Sequence, residues 1–140
     1  MREVPKELWN EVLEIVTDIV WGPDQDDIQA TSAKVGRLRA LYTKQEALGL
    51  PEPFLTEALA DYTDDAAEAV NLYRRALSQF SVYPEEPIHT KRICLASRLI
   101  ELGDLAEARM ELVLGRVEAD RLNDTDYVTL ADELLAQLVR

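Results

Sequence analysis

Apolar residues recur at intervals of three and four along most of this chain, and proline, glycine or short polar runs separate the segments that carry the pattern. In the first segment, Pro5 opens a wide apolar stripe that runs from Leu8 to Val20, and Gly22 closes it. Alternating runs of β-branched residues between turn signals, which are typical of strands, are missing. The pattern therefore predicts an all-α fold of about seven helices joined by short loops.

Capping signals set the expected limits of the later helices. The second helix is expected at about 27–48, where Gly49 suits the C-terminal cap. The third follows Pro53, and Thr63 or Asp64 is the expected N-cap of the fourth. The remaining three are expected at about 87–102, 104–122 and 125–140, with Asp104 capping the sixth.

The segment between residues 95 and 115 has a distinctive spacing of large and small side chains. The residues that carry this spacing are Leu95, Ala96, Leu99, Gly103, Ala108, Leu112 and Gly115. The segment resembles the tetratricopeptide repeat (TPR), in which the two helices of a hairpin approach closely where side chains are small. Parts of the same spacing return at 55–76, with a shorter turn than the family has, and at 127–134.

The resemblance implies a single TPR-like domain over residues 1–140, built of antiparallel helical hairpins. A hairpin at 5–48 matches the repeat weakly, whereas hairpins at 54–81 and 88–121 are TPR-like. A helix at 125–140 would then be the capping helix that a solenoid needs at its end. A compact helical bundle is the alternative architecture.

The charge balance restricts the class of partner. The chain has 27 acidic and 15 basic residues, which gives a net charge of −12. This excess of acid argues against nucleic acid and anionic membranes as partners, and it favours a basic partner. No apolar stretch reaches the roughly 20 residues of a membrane span, and the first residues lack a secretory signal. With a single cysteine, we expect a cytoplasmic protein.

The residues that could support catalysis or bind a metal are few. Glycine-rich phosphate-binding loops are absent, and the aspartates at 24–27 lack the later ligands of a calcium loop. His89 is the only imidazole and is interpreted as a surface or capping histidine, while Cys94 is interpreted as a half-buried packing residue. We therefore expect no enzyme, no cofactor and no metal site.

In TPR-like folds the first helices of the hairpins line a concave groove that holds a peptide or a partner helix. Carried over to this sequence, the groove is acidic with an apolar floor, and Thr56, Ala60, Ile93 and Cys94 are among its expected lining positions. The partner-binding residues are expected to be Glu11, Glu14, Asp18, Glu57, Ser97, Glu101 and Asp132. The basic residues near the middle repeats are expected to pair with acids across the helix surface; they are Arg74, Arg75, Lys91, Arg92 and Arg98.

These observations favour a non-enzymatic interaction module that binds a protein or peptide with a basic surface. Two narrower hypotheses belong to the same binding class: an immunity or antitoxin-type inhibitor of a basic toxin, and a secretion chaperone. A homodimeric structural protein is the contrasting alternative, because Trp9, Trp21 and the isoleucines of the first helix exceed what one small core is expected to hide.

Overall fold

A computed structural model describes residues 3–139, so residues 1, 2 and 140 of the predicted domain lie outside it. The described part contains seven α-helices and no strand, which confirms the predicted all-α fold. The helices are α1 (Lys6–Trp21), α2 (Ile28–Ala47), α3 (Pro53–Asp61), α4 (Ala66–Ser78), α5 (His89–Glu101), α6 (Leu105–Arg121) and α7 (Thr125–Leu138). A short 3-10 helix, Phe80–Val82, follows α4 where the sequence predicted the end of the fourth helix.

Aspartate side chains begin four of the helices. Each carboxylate accepts a hydrogen bond from a backbone N–H of the first turn, which satisfies a donor that the helix itself leaves unpaired. These N-caps are Asp27 of α2, Asp65 of α4, Asp104 of α6 and Asp124 of α7. The expected cap of α6 is confirmed. The expected caps of α4, Thr63 or Asp64, are wrong. The Thr63 hydroxyl instead donates a hydrogen bond of 2.6 Å to the Leu59 carbonyl at the end of α3.

The odd-numbered helices lie beside one another. The ring of Trp9 in α1 packs against that of Phe54 in α3, and Lys91 of α5 forms an ion pair with Glu57 of α3. Helix α7 packs against α5 as well as against α6. These contacts place α1, α3, α5 and α7 in one layer.

The even-numbered helices form the second layer, and ion pairs join them. Arg39 of α2 pairs with Glu68 of α4, and Arg74 of α4 pairs with Glu107 of α6. Each helix also packs against the next one in the chain. The architecture is therefore two layers of helices joined as successive hairpins, while the TPR-like superhelix remains a prediction.

Small residues bring α5 and α6 together, as their spacing in the sequence predicted. Ala96 and Ala108 are fully buried, and Gly115 is buried against the side chain of Ile93. The larger residues of the same pattern, including Leu95 and Leu99, lie in the core. The close packing of these two helices at small residues is thus confirmed.

The prediction that the central basic residues pair with acids is also confirmed. Six acids pair with these five basic residues, because Lys91 pairs with two of them. The pairs are Arg74–Glu107, Arg75–Glu46, Lys91–Glu57, Lys91–Glu86, Arg92–Glu111 and Arg98–Glu101.

Candidate functional site

A groove runs between α1, α3 and the segment that joins α4 to α5. It consists of two adjoining concavities of about 490 and about 250 Å³, which share Trp9, Phe54 and Glu86. We call it the Trp9 groove. Its lining residues are Glu3, Val4, Trp9, Val12, Leu13, Val16, Phe54, Glu57, Ala58, Asp61, Tyr62, Tyr83, Glu85 and Glu86.

The apolar floor of the groove is a consequence of the wide stripe on α1. Val12 and Ile15 occupy the centre of the stripe and are buried in the core. Trp9 and Leu13 lie at the edge of the stripe, where they keep 40% and 45% of their surface exposed. Trp9 is held by Phe54 of α3 in an edge-to-face contact, with ring centroids 4.8 Å apart. The apolar stripe is therefore wider than the core can cover, and the residues at its edge face the groove.

A buried lysine lies behind one wall of the groove. The Lys91 side chain is 2% exposed, and its Nζ lies 3.0 Å from Oε1 of Glu57 and 2.8 Å from Oε1 of Glu86. Burial alone would lower the pKa of Lys91, but the two carboxylates outweigh it and the pKa is raised. The hydroxyl of Thr90 donates a hydrogen bond of 2.8 Å to the second carboxylate oxygen of Glu57, Oε2. Lys91 thus stays charged and fixes two acidic side chains of the groove in position.

Asp61 lies at the narrow end of the groove beside Tyr73. The Tyr73 hydroxyl donates a hydrogen bond of 2.5 Å to Oδ1 of Asp61. Loss of hydration inside the concavity raises the pKa of Asp61 to about 6, and the nearby charge of Glu57 adds to this, whereas the hydrogen bond from Tyr73 opposes it. Asp61 therefore changes charge near neutral pH.

The raised pKa of Asp61 gives a prediction about stability. A group whose pKa is higher in the folded state stabilises the fold below its unfolded pKa, and this contribution is lost as the pH rises through about 6. Asp61→Asn keeps an acceptor for Tyr73 without the charge. We expect it to raise the midpoint of thermal unfolding at pH 7.5 and to have little effect at pH 4. The gain is no more than about 1 kcal/mol, because the side chain keeps contact with solvent.

Thermal melts of the two proteins at both pH values measure this difference. Asp64→Asn, which removes an exposed acid three residues further along, controls for the loss of one negative charge. An equal shift at pH 4 and pH 7.5, or destabilisation of Asp61→Asn at pH 7.5, contradicts the stated role of the Asp61 charge.

Cys94 and its tyrosine neighbours form a packed cluster next to Asp61. Burial raises the pKa of the Cys94 thiol to about 12, and the charges of Asp61 and Glu57 contribute in the same direction. The pKa of Tyr127 is raised by burial as well. A protonated, half-buried thiol is a packing residue, as the sequence predicted, and a poor nucleophile.

His89 is far more buried than the sequence indicated. It is the first residue of α5, but it is buried with 3% exposure, and its Nε2 lies 2.7 Å from Oδ2 of Asp124. Its ring also packs edge-on against Tyr127, with ring centroids 5.5 Å apart. The hydrogen bond with His89 lowers the pKa of Asp124, the N-cap of α7. The interpretation of His89 as a surface histidine is thus wrong, because α7 covers it.

The predicted binding residues do not converge on one surface. Glu57 lines the Trp9 groove, but Glu11, Glu14 and Asp18 are exposed on other faces of α1. Asp18 points toward α2, where the ammonium group of Lys34 lies 3.8 Å from its carboxylate. Successive residues of a helix are rotated by about 100°. Glu11, two residues after Trp9, and Glu14, one residue after Leu13, therefore lie outside the helix face that lines the groove.

The remaining predicted binding residues lie on α5 and α7, away from the lining of the groove. Ser97 is half-buried, and Glu101 is exposed beside Arg98. Asp132 of α7 pairs with Arg116 of α6, with 2.6 Å between Nε and Oδ1. The structure thus brings neither Glu101 nor Asp132 together with Glu57.

Three expected lining positions are wrong. Thr56, Ala60 and Ile93 are 0–1% exposed, so they cannot contact a partner. Thr56 and Ile93 face the second helix of their own hairpin: the Thr56 hydroxyl donates a hydrogen bond to Gln79 just after α4, and Ile93 packs against Gly115 of α6.

Sequence reasoning missed the acids at the wide end of the groove. Glu85 and Glu86 come from the connection after α4, and Glu3 precedes α1, so none of them belongs to a helical repeat. The run Tyr83-Pro84-Glu85-Glu86-Pro87 carried a usable signal, because prolines on both sides of two acids restrict the backbone that presents them.

A larger concavity, of about 800 Å³, lies between α2 and the turn from α3 to α4. Its lining mixes both signs of charge: Arg39 is already paired with Glu68, and the carboxylate of Asp65 caps α4. Most of its other lining residues are small or polar. Both concavities carry acids without a described cationic partner, but the Trp9 groove combines them with a continuous apolar floor and aromatic walls and is therefore the better candidate site.

Comparisons of the chain with family models, with curated proteins and with solved structures found no match. Among residues 3–139, no helix is both long enough and apolar enough to cross a lipid bilayer. The TPR resemblance therefore rests on the residue spacing, and the assignment of a site rests on the geometry of the Trp9 groove.

Proposed function

We propose that this chain is a non-enzymatic interaction module that binds a basic segment of a partner protein in the Trp9 groove. One observation carries the proposal: an apolar floor is lined by five carboxylates, and the lining of the two concavities contains no lysine or arginine, while Lys6 lines a neighbouring concavity that shares Val4 and Trp9. The acids are Glu3, Glu57, Asp61, Glu85 and Glu86.

The electrostatics of the groove favour a cationic ligand. Glu57 and Glu86 share the single charge of Lys91, whereas Glu3 and Glu85 are exposed and form no ion pair with another described residue. A concave surface with apolar walls concentrates the field of such charges, which raises the rate of association with a basic partner.

The apolar floor supplies the attachment that charge alone does not. Trp9, Leu13 and Phe54 present partly exposed side chains along one line of the groove. Covering apolar surface contributes about 25 cal/mol for each Å² removed from water, while exposed ion pairs contribute less than about 1 kcal/mol each. The groove thus suits an amphipathic segment with both apolar and basic residues. The TPR resemblance supports the same function, since such folds bind peptides in a concave face.

Peptide titration followed by NMR tests the proposal. The probe is a synthetic peptide of 16 residues with leucines on one helical face and arginines on the other, and the control peptide carries glutamates in place of the arginines. We expect the basic peptide to shift the resonances of Trp9, Leu13 and Phe54 at low salt, and the acidic peptide to leave them unchanged. Binding should weaken as salt screens the charges. Absence of shifts in the groove, or equal shifts with both peptides, refutes the proposal.

The matched variant is Leu13→Lys, which places a positive charge on the groove floor, with Leu102→Lys as its control at the end of α5. The two leucines are 45% and 50% exposed, so neither change disrupts the core. Leu13→Lys should abolish the groove shifts, because it removes apolar surface and repels the arginines, whereas Leu102→Lys should leave them unchanged. An immunity-type inhibitor and a secretion chaperone are both versions of this function, and they differ in the partner that supplies the basic segment.

Self-association is a second candidate, and an exposed stripe on α6 favours it. Met110, Val113, Leu114 and Val117 follow the helical period and keep 47–64% of their surface exposed. A homodimer would cover this stripe. Sedimentation velocity at two concentrations decides the point, since a dimer should dissociate on dilution and Val113→Glu should prevent its formation. A single monomeric species at both concentrations excludes it.

A further inference from the structure

We propose that the wide end of the Trp9 groove is a pocket for one arginine side chain of the partner segment. This inference rests on the proposed function and deepens it by assigning one subsite. The pocket has a volume of about 490 Å³, within the range of roughly 300–1,000 Å³ that ligand pockets occupy.

Aromatic rings form the walls of the pocket. The indole of Trp9 and the ring of Phe54 meet at 65°, and Tyr83 lines the same concavity. A guanidinium group is planar and weakly hydrated, so it stacks on aromatic faces more readily than an ammonium group does. Such a contact contributes about 0.5–2 kcal/mol, depending on how far the cation is removed from water.

Carboxylates from two separate segments converge on the same space. Glu3 precedes α1, and Glu85 and Glu86 lie in the connection between α4 and α5. A guanidinium has five N–H donors arranged in a plane, which lets it bond to one carboxylate while a second lies within range of its charge. The pocket therefore combines the two features by which proteins distinguish arginine from lysine.

One of the three carboxylates of the pocket and one of its aromatic walls are held in place before a ligand arrives. The buried ammonium group of Lys91 binds Oε1 of Glu86. The backbone N–H of Glu86 also donates a hydrogen bond of 2.9 Å to the carbonyl of Tyr83. The Tyr83 hydroxyl donates a hydrogen bond of 2.7 Å to a carboxylate oxygen of Glu52. This bond anchors the aromatic wall to the start of α3. A site ordered in advance loses less conformational entropy on binding.

The charge around the pocket also excludes other occupants. An acidic or phosphorylated side chain would be repelled by three carboxylates, and a purely apolar side chain would gain nothing from the charges of Glu3 and Glu85, which no described cation balances. Charge complementarity thus favours a cation in the pocket, and the aromatic walls favour a planar one such as guanidinium.

A fluorescence titration tests the pocket. The protein has two tryptophans, and Trp21 is 80% exposed, so Trp21→Phe leaves Trp9 as the reporter without disturbing the core. Three peptides are compared: the leucine and arginine peptide described above, the same peptide with citrulline for arginine, and the same peptide with lysine. Citrulline has the shape of arginine without its charge. We expect the citrulline peptide to bind at least tenfold more weakly than the arginine peptide, and the lysine peptide to fall between them.

The test of the acids is the double variant Glu3→Gln/Glu85→Gln in the same background. Both residues are exposed and form no ion pair with a described residue, so the fold should be unaffected, which circular dichroism checks. We expect this variant to bind the arginine peptide about tenfold more weakly and the citrulline peptide equally well. Glu11→Gln/Glu14→Gln removes the same number of charges from an exposed part of α1 outside the groove and should change the affinity less than twofold.

The outcomes separate this inference from the function on which it rests. If the arginine and lysine peptides bind equally, or if the two double variants lose the same affinity, the arginine pocket is wrong while the groove still binds basic peptides. If the citrulline peptide binds as tightly as the arginine peptide, or if none of the peptides changes the fluorescence of Trp9 or the groove resonances, the proposed function itself is wrong.

Discussion

Replacing Lys91 with methionine is expected to lower the free energy of unfolding by about 2–4 kcal/mol, although methionine fills a similar volume and favours helix. The side chain of Lys91 is 2% exposed and balances the charges of Glu57 and Glu86. Without its ammonium group, two carboxylates remain close together and only partly hydrated. Removing one partner of a fully buried ion pair costs up to about 5 kcal/mol. We expect a smaller loss of stability here because Glu57 and Glu86 keep 18% and 27% of their side-chain surface exposed.

Urea unfolding followed by circular dichroism measures this loss. The matched control is Lys44→Met, in the exposed last turn of α2, which should change stability by less than about 0.5 kcal/mol. Adding Glu86→Gln to Lys91→Met should recover part of the loss, because one of the two uncompensated charges is removed. If the two lysine variants lose equal stability, or if Glu86→Gln makes Lys91→Met worse, Lys91 does not act by neutralising these acids.

The helical fold was predictable because it depends on local signals. The period of apolar residues and the capping aspartates are properties of short segments, and the small residues at Ala96, Ala108 and Gly115 showed which two helices would pack closely. Where the local signals were nearly equivalent, the prediction was less accurate. Three successive residues, Thr63, Asp64 and Asp65, are all good caps, and the structure uses the last of them.

The TPR resemblance implied an acidic groove with an apolar floor, but it did not place the residues that line the Trp9 groove. Glu11 and Glu14 lie off the groove because the rotation of α1 about its axis depends on tertiary packing. Glu3 and Glu85 come from segments outside the helices, to which no repeat frame applies. Burial of polar residues was also not visible in the sequence, since Asp124, the partner that buries His89, lies 35 residues away.

Gly115→Ala is expected to destabilise the protein by about 1–2 kcal/mol, even though alanine is favoured over glycine in a helix interior by about 1 kcal/mol. A Cβ at Gly115 would lie 2.7 Å from Cγ1 of Ile93 and 3.4 Å from Cβ of Arg92. Ile93 is β-branched and fully buried on α5, so it has little freedom to move away. The substitution therefore pushes α5 and α6 apart where the hairpin is most closely packed.

Gly36→Ala is the matched control for this prediction, because Gly36 lies in the exposed interior of α2 and a Cβ there would meet nothing within 4 Å. It should stabilise the protein by about 0.5–1 kcal/mol through helix propensity alone. Ile93→Ala supplies the second test: in that background the clash is absent, so Gly115→Ala should be neutral or stabilising, which chemical unfolding of the four proteins of the double-mutant cycle measures. Equal effects of Gly115→Ala with and without Ile93 would show that its cost lies elsewhere than in the close approach of α5 to α6. Opposite signs for the two glycines, together with rescue by Ile93→Ala, would establish that the small residue is required by packing against α5 rather than by the conformation of α6.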